Sequence, residues 1–435
     1  MIDFVILPHQ LYNIKNLNVD ENNLKNFNYI LWEHPHYFTK YNYNKKKLIL
    51  HYASMLYYYD YLKQKKFNVS YIKFNEKFTS KEYYLFDPID KIKLPNKYTF
   101  VESPNFLLTT KQYELYRNKT KNFFFNSFYM WGKKQINMIP NIKSLDKENR
   151  NSIPKDLKIP PIPTNKSDQK YINKAIKLVE KNFSKNCGNT DNFMFPISHK
   201  VANNWITHFI KYKLNNFGKY QDAIIQENNF LFHSLLSTSI NIGLLNPIDV
   251  ANKILKEKVK MNNIEGFIRQ LFWREYQRYC YIYFNFTNKS YFPYTVNKLS
   301  KEWYNGTTGI KPIDVCINNA FNNGYLHHIE RLMVVGNFMV LSNINPKAGH
   351  QWFMEFSCDS YEWVMAQNVY DMVFFVSGGK TMRRPYISSS NYVLKMSNYK
   401  KDEWCNIWDE KYNTFLKKNK QKLWKYRYFF RGLKN

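Results

Sequence analysis

The chain has 435 residues, 44% hydrophobic and 18% aromatic, which supports two or three packed domains and excludes global disorder. Its 64 Lys and Arg outnumber 34 Asp and Glu, and the resulting formal charge of +30 points to a polyanion such as nucleic acid or an acidic membrane. A/T-rich codons also favour Lys, Asn, Tyr, Ile and Phe, and solubilising charge is the bland alternative, but exchanging Arg for Lys leaves net charge unchanged, so drift does not easily create so large an excess.

The first 130 residues read as an α/β unit. Phe4-Val5-Ile6-Leu7 is a short apolar run expected to be a buried strand, and Tyr29-Ile30-Leu31-Trp32 is a second, ending at Glu33-His34. Residues 45–63 are predicted to be a helix, with Leu48, Tyr52, Met55, Tyr59 and Leu62 lining one face. Phe67 to Ile72 roughly alternates, as a strand does. Strand–helix–strand in this order implies a parallel sheet with right-handed crossovers. From about 140 to 175 the prolines at 140, 154, 160, 161 and 163 lie among Lys, Asn and Asp, which predicts an extended linker. Beyond it the chain is expected to be mostly helical, with no internal repeat and no glycine-rich phosphate loop.

Cys187, Cys280, Cys316, Cys358 and Cys405 form no CxxC pair and read as buried thiols in a reducing compartment. Apolar runs such as Ile240 to Leu245 are too short to span a membrane, and the N-terminus has no signal-peptide pattern. The expectation is a soluble intracellular protein of cytoplasm, nucleus or virion, not secreted and not membrane-bound.

Three segments of the C-terminal half carry chemistry. Phe217 to Ala223 precedes His233-Ser234-Leu235-Leu236-Ser237 and Asn241 to Pro247. Hydroxyls and free amides at a helix start suit a phosphate, and an ordinary serine cap gives the same pattern. Gly266 to Tyr276 interleaves aromatics with Arg269 and Arg274, which fits stacking on unpaired bases and equally fits a buried amphipathic helix. In Tyr325 to Phe338, His327 and His328 precede Arg331; a helix would put His327 and Arg331 on one face. Adjacent imidazoles do not make a zinc site, whereas acid–base work near neutral pH suits them, as does a plain core role.

Together with Asp359-Ser360-Tyr361-Glu362-Trp363 and Lys395 to Tyr399, these segments resemble the photolyase/cryptochrome family in order and spacing over most of the chain. They are most similar to the photolyase-related branch that includes the iron–sulfur bacterial cryptochromes and prokaryotic (6-4) photolyases. The resemblance implies a Rossmann-like α/β antenna domain over 1–135, a linker over 136–175 and an all-α FAD-binding, catalytic domain over 176–435. It implies a light-driven, FAD-dependent DNA photolyase, monomeric, that splits a pyrimidine dimer flipped out of UV-damaged DNA by electron transfer. The (6-4) photoproduct is favoured over the cyclobutane dimer, and a cryptochrome-like photoreceptor without repair is the competing reading.

By the same resemblance, Ser234, Leu235, Leu236 and Ser237 hold the FAD phosphates, Arg331 and Asp359 flank the isoalloxazine, and Tyr220, Arg269, Asn337 and Asn368 complete the cofactor site. Trp273 and Gln270 belong to the lesion pocket, and His327 and His328 are the candidate proton donors. Trp352 is the flavin-proximal electron carrier, with Trp303, Tyr304, Tyr361 and Tyr392 as onward candidates. Glu33 and His9 are candidates for a lumazine-type antenna pigment, although His9 replaces the usual acid.

Departures matter as well. The branch's iron–sulfur cluster needs four cysteines, and only Cys405 falls near a matching place, so no cluster and no other metal is expected. Leu332 stands where eukaryotic (6-4) enzymes carry another His. Met365 stands where relatives place a polar group facing flavin N5.

Overall fold

A computed structural model of the chain describes all residues except 1, 17–24, 155, 165–167, 287–289, 431–432 and 434–435. Five strands, β1 (Ile2–Ile6), β2 (Phe27–Trp32), β3 (Asn68–Ile72), β4 (Glu82–Phe86) and β5 (Lys97–Val101), form one sheet in the order β3-β2-β1-β4-β5. All four pairings are parallel, with Val5 opposite Ile30 on one side and Leu85 on the other. Central β1 reads as a continuous apolar run because both faces of a parallel sheet are covered. Edge strand β5 is mostly exposed.

Helix α1 (Lys45–Gln64) starts where the Asn44 side chain accepts the Lys46 N–H at 2.9 Å. Leu48, Tyr52, Met55 and Leu62 are buried as expected, yet every residue from Lys46 to Met55 is buried, not one face alone. The reason is that α1 packs on the sheet and also meets the helical half. Asn44 Nδ2 donates to Phe321 O at 3.0 Å, Lys47 Nζ to Ser360 O, and His51 shares a 3.0 Å hydrogen bond with the Tyr361 hydroxyl.

Helix α2 (Gln169–Asn182) lies against α1, with the Tyr171 hydroxyl donating to Asp60 at 2.8 Å. A boundary at 176 therefore falls inside a helix that is packed onto the N-terminal unit. The preceding proline-rich stretch has little regular structure, but it is not a free spacer. Leu145 N–H donates to Glu265 Oε2 at 3.1 Å, and the buried Asn149 donates to Asn262 O at 3.3 Å.

Helix α3 (Met261–Tyr283), 23 residues and about 35 Å long, is the spine of the helical half. It decides between the two readings of its Arg–aromatic pattern residue by residue. Arg274 donates to Asn241 Oδ1 at 2.9 Å and Asn105 O at 2.7 Å, and Arg278 stacks 4.0 Å over Phe106. These two guanidiniums fasten the N-terminal unit to the spine. Arg269, Gln270 and Trp273 line a cleft, which Arg274 also reaches. Among the described residues, no helix is long and apolar enough to cross a membrane.

Candidate active site

The cleft, with about 2180 Å³ of atom-free space, adjoins a cavity of about 1060 Å³, and residues lining both include Asp222, Ser234, Ser237, Gln270, His328, Arg331, Asp359, Met365 and Asn368. Leu235 adopts φ +58°, a left-handed turn without glycine, just before the helix Ser237–Asn241. Strain of this kind, about 1–3 kcal/mol for a non-glycine residue, persists where surrounding structure over-determines it. Here it lets Ser234, Leu235 and Ser237 all reach the cavity, while Leu236 lines the cleft.

The same polar wall carries an ion pair, reached directly by Ser237. Arg331 Nη1 and Nη2 lie 2.9 and 3.2 Å from the two oxygens of Asp359, which also accepts the hydroxyls of Ser237 at 2.7 Å and Ser357. Burial pushes the Asp359 carboxyl up, but Arg331 and these hydroxyls outweigh it and hold it below the usual carboxylate range. Arg331 Nε in turn donates to Leu326 O at 2.7 Å, which fixes the guanidinium plane.

Two segments around the cavity are π-helical, Glu330–Gly336 and Ala366–Val373. Such turns recur at functional sites because the wider coil re-aims side chains. The first presents Arg331 and Leu332 to the cavity, the second Asn368, Val369 and Met372. They touch at Gly336, where a Cβ would meet Val373 Cγ1 at 2.9 Å and Arg331 O at 2.7 Å. Gly336→Ala is expected to cost about 1–3 kcal/mol by overpacking and to lower the thermal unfolding midpoint.

The two histidines separate. Helix Lys311–Asn323 stops at Gly324 (φ +64°), and His327 precedes the next helix, its N–H donating to Glu330 Oε2 at 3.2 Å in a capping contact. His327 therefore does not share a helix face with Arg331. It is buried with its ring stacked on His233, centroids 4.6 Å apart, and its ring nitrogens find no hydrogen-bond partner. His328 opens the helix and lines both cavity and cleft, where it is accessible. Desolvation between these walls, then the Arg331 and Arg269 charges, keep its pKa below the ordinary imidazole range.

Trp352 is fully buried behind the cavity wall residue Phe353, ring centroids 5.3 Å apart. Its Nε1 donates to Trp303 O at 2.7 Å, and Phe321 links it to Tyr304 at 5.7 and 5.6 Å. Trp352, Trp303 and Tyr304 are thus brought together. Tyr361 and Tyr392 are not part of this group: Tyr361 sits beside His9 (5.2 Å) and His51, and Tyr392 lines the cleft.

Two expected cofactor residues line neither space. Tyr220 packs with Ala223, Leu231 and Phe232 in a small apolar cluster. Asn337 is turned away to clamp Ser388, donating to its carbonyl and hydroxyl at 2.9 Å and accepting its N–H at 3.2 Å. Arg269 lines the cleft while paired with Asp146 (2.8 Å) and Glu265 (3.4 Å), and Trp273 stacks on Phe125 at 3.7 Å. The rim also holds Arg150, Arg384, Tyr386, Lys395 and Phe429, and the cavity holds His233. The dense Arg383-Arg384-Pro385-Tyr386 stretch was the signal for part of that rim.

At the C-terminal ends of β1 and β2, Glu33 is closed in, accepting the Tyr71 hydroxyl at 2.8 Å and the Phe74 N–H at 3.1 Å. Burial pushes its carboxyl up to about 7. His9 lies 4.6 Å from Tyr37 and shares a 3.3 Å hydrogen bond with Pro88 O. The rings of Tyr37 and Tyr361 pack beside it. All five cysteines are free, and among the described residues no group of three or more His, Cys, Asp or Glu could hold a metal.

Comparison with known proteins now decides the family. Residues 4–87 and 78–195 match the family described as deoxyribodipyrimidine photo-lyase-related protein, and residues 267–425 match the FAD binding domain of DNA photolyase. The chain belongs to the photolyase/cryptochrome family. It is 38% identical over 263 residues to a (6-4) photolyase of Agrobacterium fabrum, which covers 59% of this chain. It spans only 52% of that relative's length. Its fold is similar to a bacterial class III photolyase from Agrobacterium tumefaciens, with TM-score 0.58 and 15% identity over 91% of this chain and 86% of that one. It is also similar to a Synechocystis cryptochrome, with TM-score 0.60 and 11% identity over 97% and 88% of the two chains.

The residues present fit FAD. Hydroxyls of Ser234 and Ser237 and the Arg331–Asp359 pair give a polar wall, and Leu235, Phe267, Phe353 and Met372 an apolar one. The unpartnered nitrogens of His233 and His327 add hydrogen-bonding capacity beside it.

Proposed function

We propose that the protein is a light-driven DNA photolyase that restores the (6-4) photoproduct in UV-damaged DNA. The observation that carries this reading is His328: one imidazole stands where the cavity lined by Ser234, Ser237, Arg331 and Asp359 meets an open basic cleft, free of protein hydrogen bonds among the described residues. FAD, when bound, supplies light absorption and a transferable electron.

The chain's own residues do the rest. Ser234, Leu235, Leu236 and Ser237 would hold the dinucleotide's phosphates, and the Arg331–Asp359 pair would hold its ring. Arg150, Arg269, Arg384 and Lys395 line the cleft and suit backbone phosphates, which position DNA without reading sequence. Trp273, backed by Phe125, offers a flat wall to the flipped lesion, and Gln270 a polar edge. His328 delivers a proton from a ring nitrogen.

Trp352, with Trp303 and Tyr304, is the electron path to the cavity wall. Trp352→Phe is expected to slow light-driven reduction of the bound cofactor, while repair by chemically reduced protein stays at the wild-type level. The protein works as a monomer in whichever compartment holds its DNA: cytoplasm, nucleus or virion. Dispersed cysteines support function without an iron–sulfur cluster. A lumazine-type antenna would require Glu33 to leave Tyr71 and Phe74, and the reaction does not need one.

Met365, in the cavity where relatives place a polar group, is the observation that favours the competing photoreceptor reading. Blue illumination of the reduced protein over DNA carrying each lesion separately distinguishes them. Restoration of the (6-4) lesion supports the proposal; restoration of the cyclobutane dimer alone reassigns the lesion; restoration of neither leaves the photoreceptor.

A further inference from the structure

Near its C-terminus the chain folds into a 3-10 turn, Trp424–Phe429, that none of the site chemistry above uses. Its buried member, Tyr426, donates to Gly378 O at 3.1 Å and packs on Phe375 at 5.3 Å. Gly379, at φ +105°, leaves room for that hydroxyl, since a Cβ there would meet it at 2.6 Å. Anchored this way, the turn holds three large rings outward: Trp424 is 48% exposed, Tyr428 73% and Phe429 54%. Scattered exposed aromatics are ordinary, but three in six residues form a patch.

Each ring is paired with a guanidinium. Arg427 lies 5.0 Å from the Trp424 ring and 4.5 Å from that of Tyr428, whose hydroxyl it also bonds at 3.0 Å. Arg384 lies 4.5 Å over Phe429 and 5.2 Å over Tyr386. Because Arg384, Tyr386 and Phe429 line the cleft, the patch continues it. No Asp or Glu occurs after Glu410, whereas Lys420, Lys422, Lys425 and Arg427 lie in or beside the turn.

Charge and ring chemistry together select the occupant. A second copy of a +30 chain would be repelled by this face. Stacking rings interleaved with cations are what a sequence-tolerant single-strand surface requires. We propose that the Trp424–Phe429 turn is a stacking platform for unpaired nucleotides of single-stranded DNA leaving the cleft. It rests on the reading of the cleft as a DNA site.

The test uses the flavin-loaded full chain and an undamaged oligothymidine of about twelve nucleotides, a length within single-strand site sizes. Binding should quench tryptophan fluorescence and exceed that of a duplex of equal length. Trp424→Ala with Tyr428→Ala should weaken it by about ten-fold or more. Flavin content and melting temperature should be unchanged, as should the salt slope, because no cation is removed. Affinity retained within about two-fold, or wild-type preference for duplex, overturns the proposal. So does a wild-type dimer dispersed by the double variant with DNA affinity intact. Repair of damaged DNA is scored separately: repair with no loss of single-strand binding removes the platform alone, and loss of repair with the platform intact removes the enzyme reading alone.

Discussion

His328→Ala should lower (6-4) repair by about 100-fold or more, the usual contribution of a positioned general acid, with bound flavin and DNA affinity nearly unchanged. The sign of the pH dependence follows from the lowered imidazole pKa. The acting form is protonated and its pKa is held down to about 4, so wild-type repair should keep rising as pH falls through the neutral range toward that value, with no plateau near the ordinary imidazole pKa of about 6.5. The variant's residual rate should lose that slope. His327→Ala should keep it, because His327 is buried against His233 and faces the cavity, not the cleft. Rate against pH for the three proteins, at saturating damaged DNA, checks this directly. A His328→Ala protein with full repair would remove the assigned donor.

Arg331→Leu is the substitution expected to harm the fold most. It leaves Asp359 charged in a wall with only hydroxyl donors, and breaking a buried pair from one side costs about 3–5 kcal/mol. Asp359→Leu leaves the converse orphan. The paired change Arg331→Leu with Asp359→Leu should recover most of the stability, because apolar replacement of both partners removes the desolvation cost. It should not recover flavin, because the plane that fixes the ring is gone. Thermal unfolding and flavin absorbance on the two singles and the double close this cycle. A double variant as unstable as the singles would show that the pair does not act as a unit.

Much of the architecture was legible because it follows local periodicity. The apolar runs at Phe4 and Tyr29 and the four–three spacing from Leu48 to Leu62 led to β1, β2 and α1. The spacing could not show that α1 is covered on both sides, since the second cover comes from residues over 250 positions away, Phe321 and Ser360. The π-helical turns were hidden for a related reason: a wider coil breaks the 3.6-residue rhythm that sequence reading uses. The position of His327 is written in its neighbours. Gly324 ahead of it and Glu330 three residues after it spell a helix stop and a capping contact. Met365, Asn368 and the Ser234–Ser237 turn reach the cavity, whereas Tyr220 and Asn337 stand one layer back. The charge excess has a place, with Arg150, Arg269, Arg384 and Lys395 gathered on one cleft from three separate regions of the chain.

The central claim is that this cavity and cleft together carry out light-driven lesion reversal. Its most direct measurement is the yield of restored dinucleotide from an oligonucleotide with a single (6-4) photoproduct, incubated with the reduced protein under blue light and in the dark. The expected result is restoration that requires light, exceeds one turnover per protein and falls steeply with salt as phosphate contacts are lost. Reduced, flavin-loaded protein that binds the lesion and leaves it intact under illumination would contradict the account.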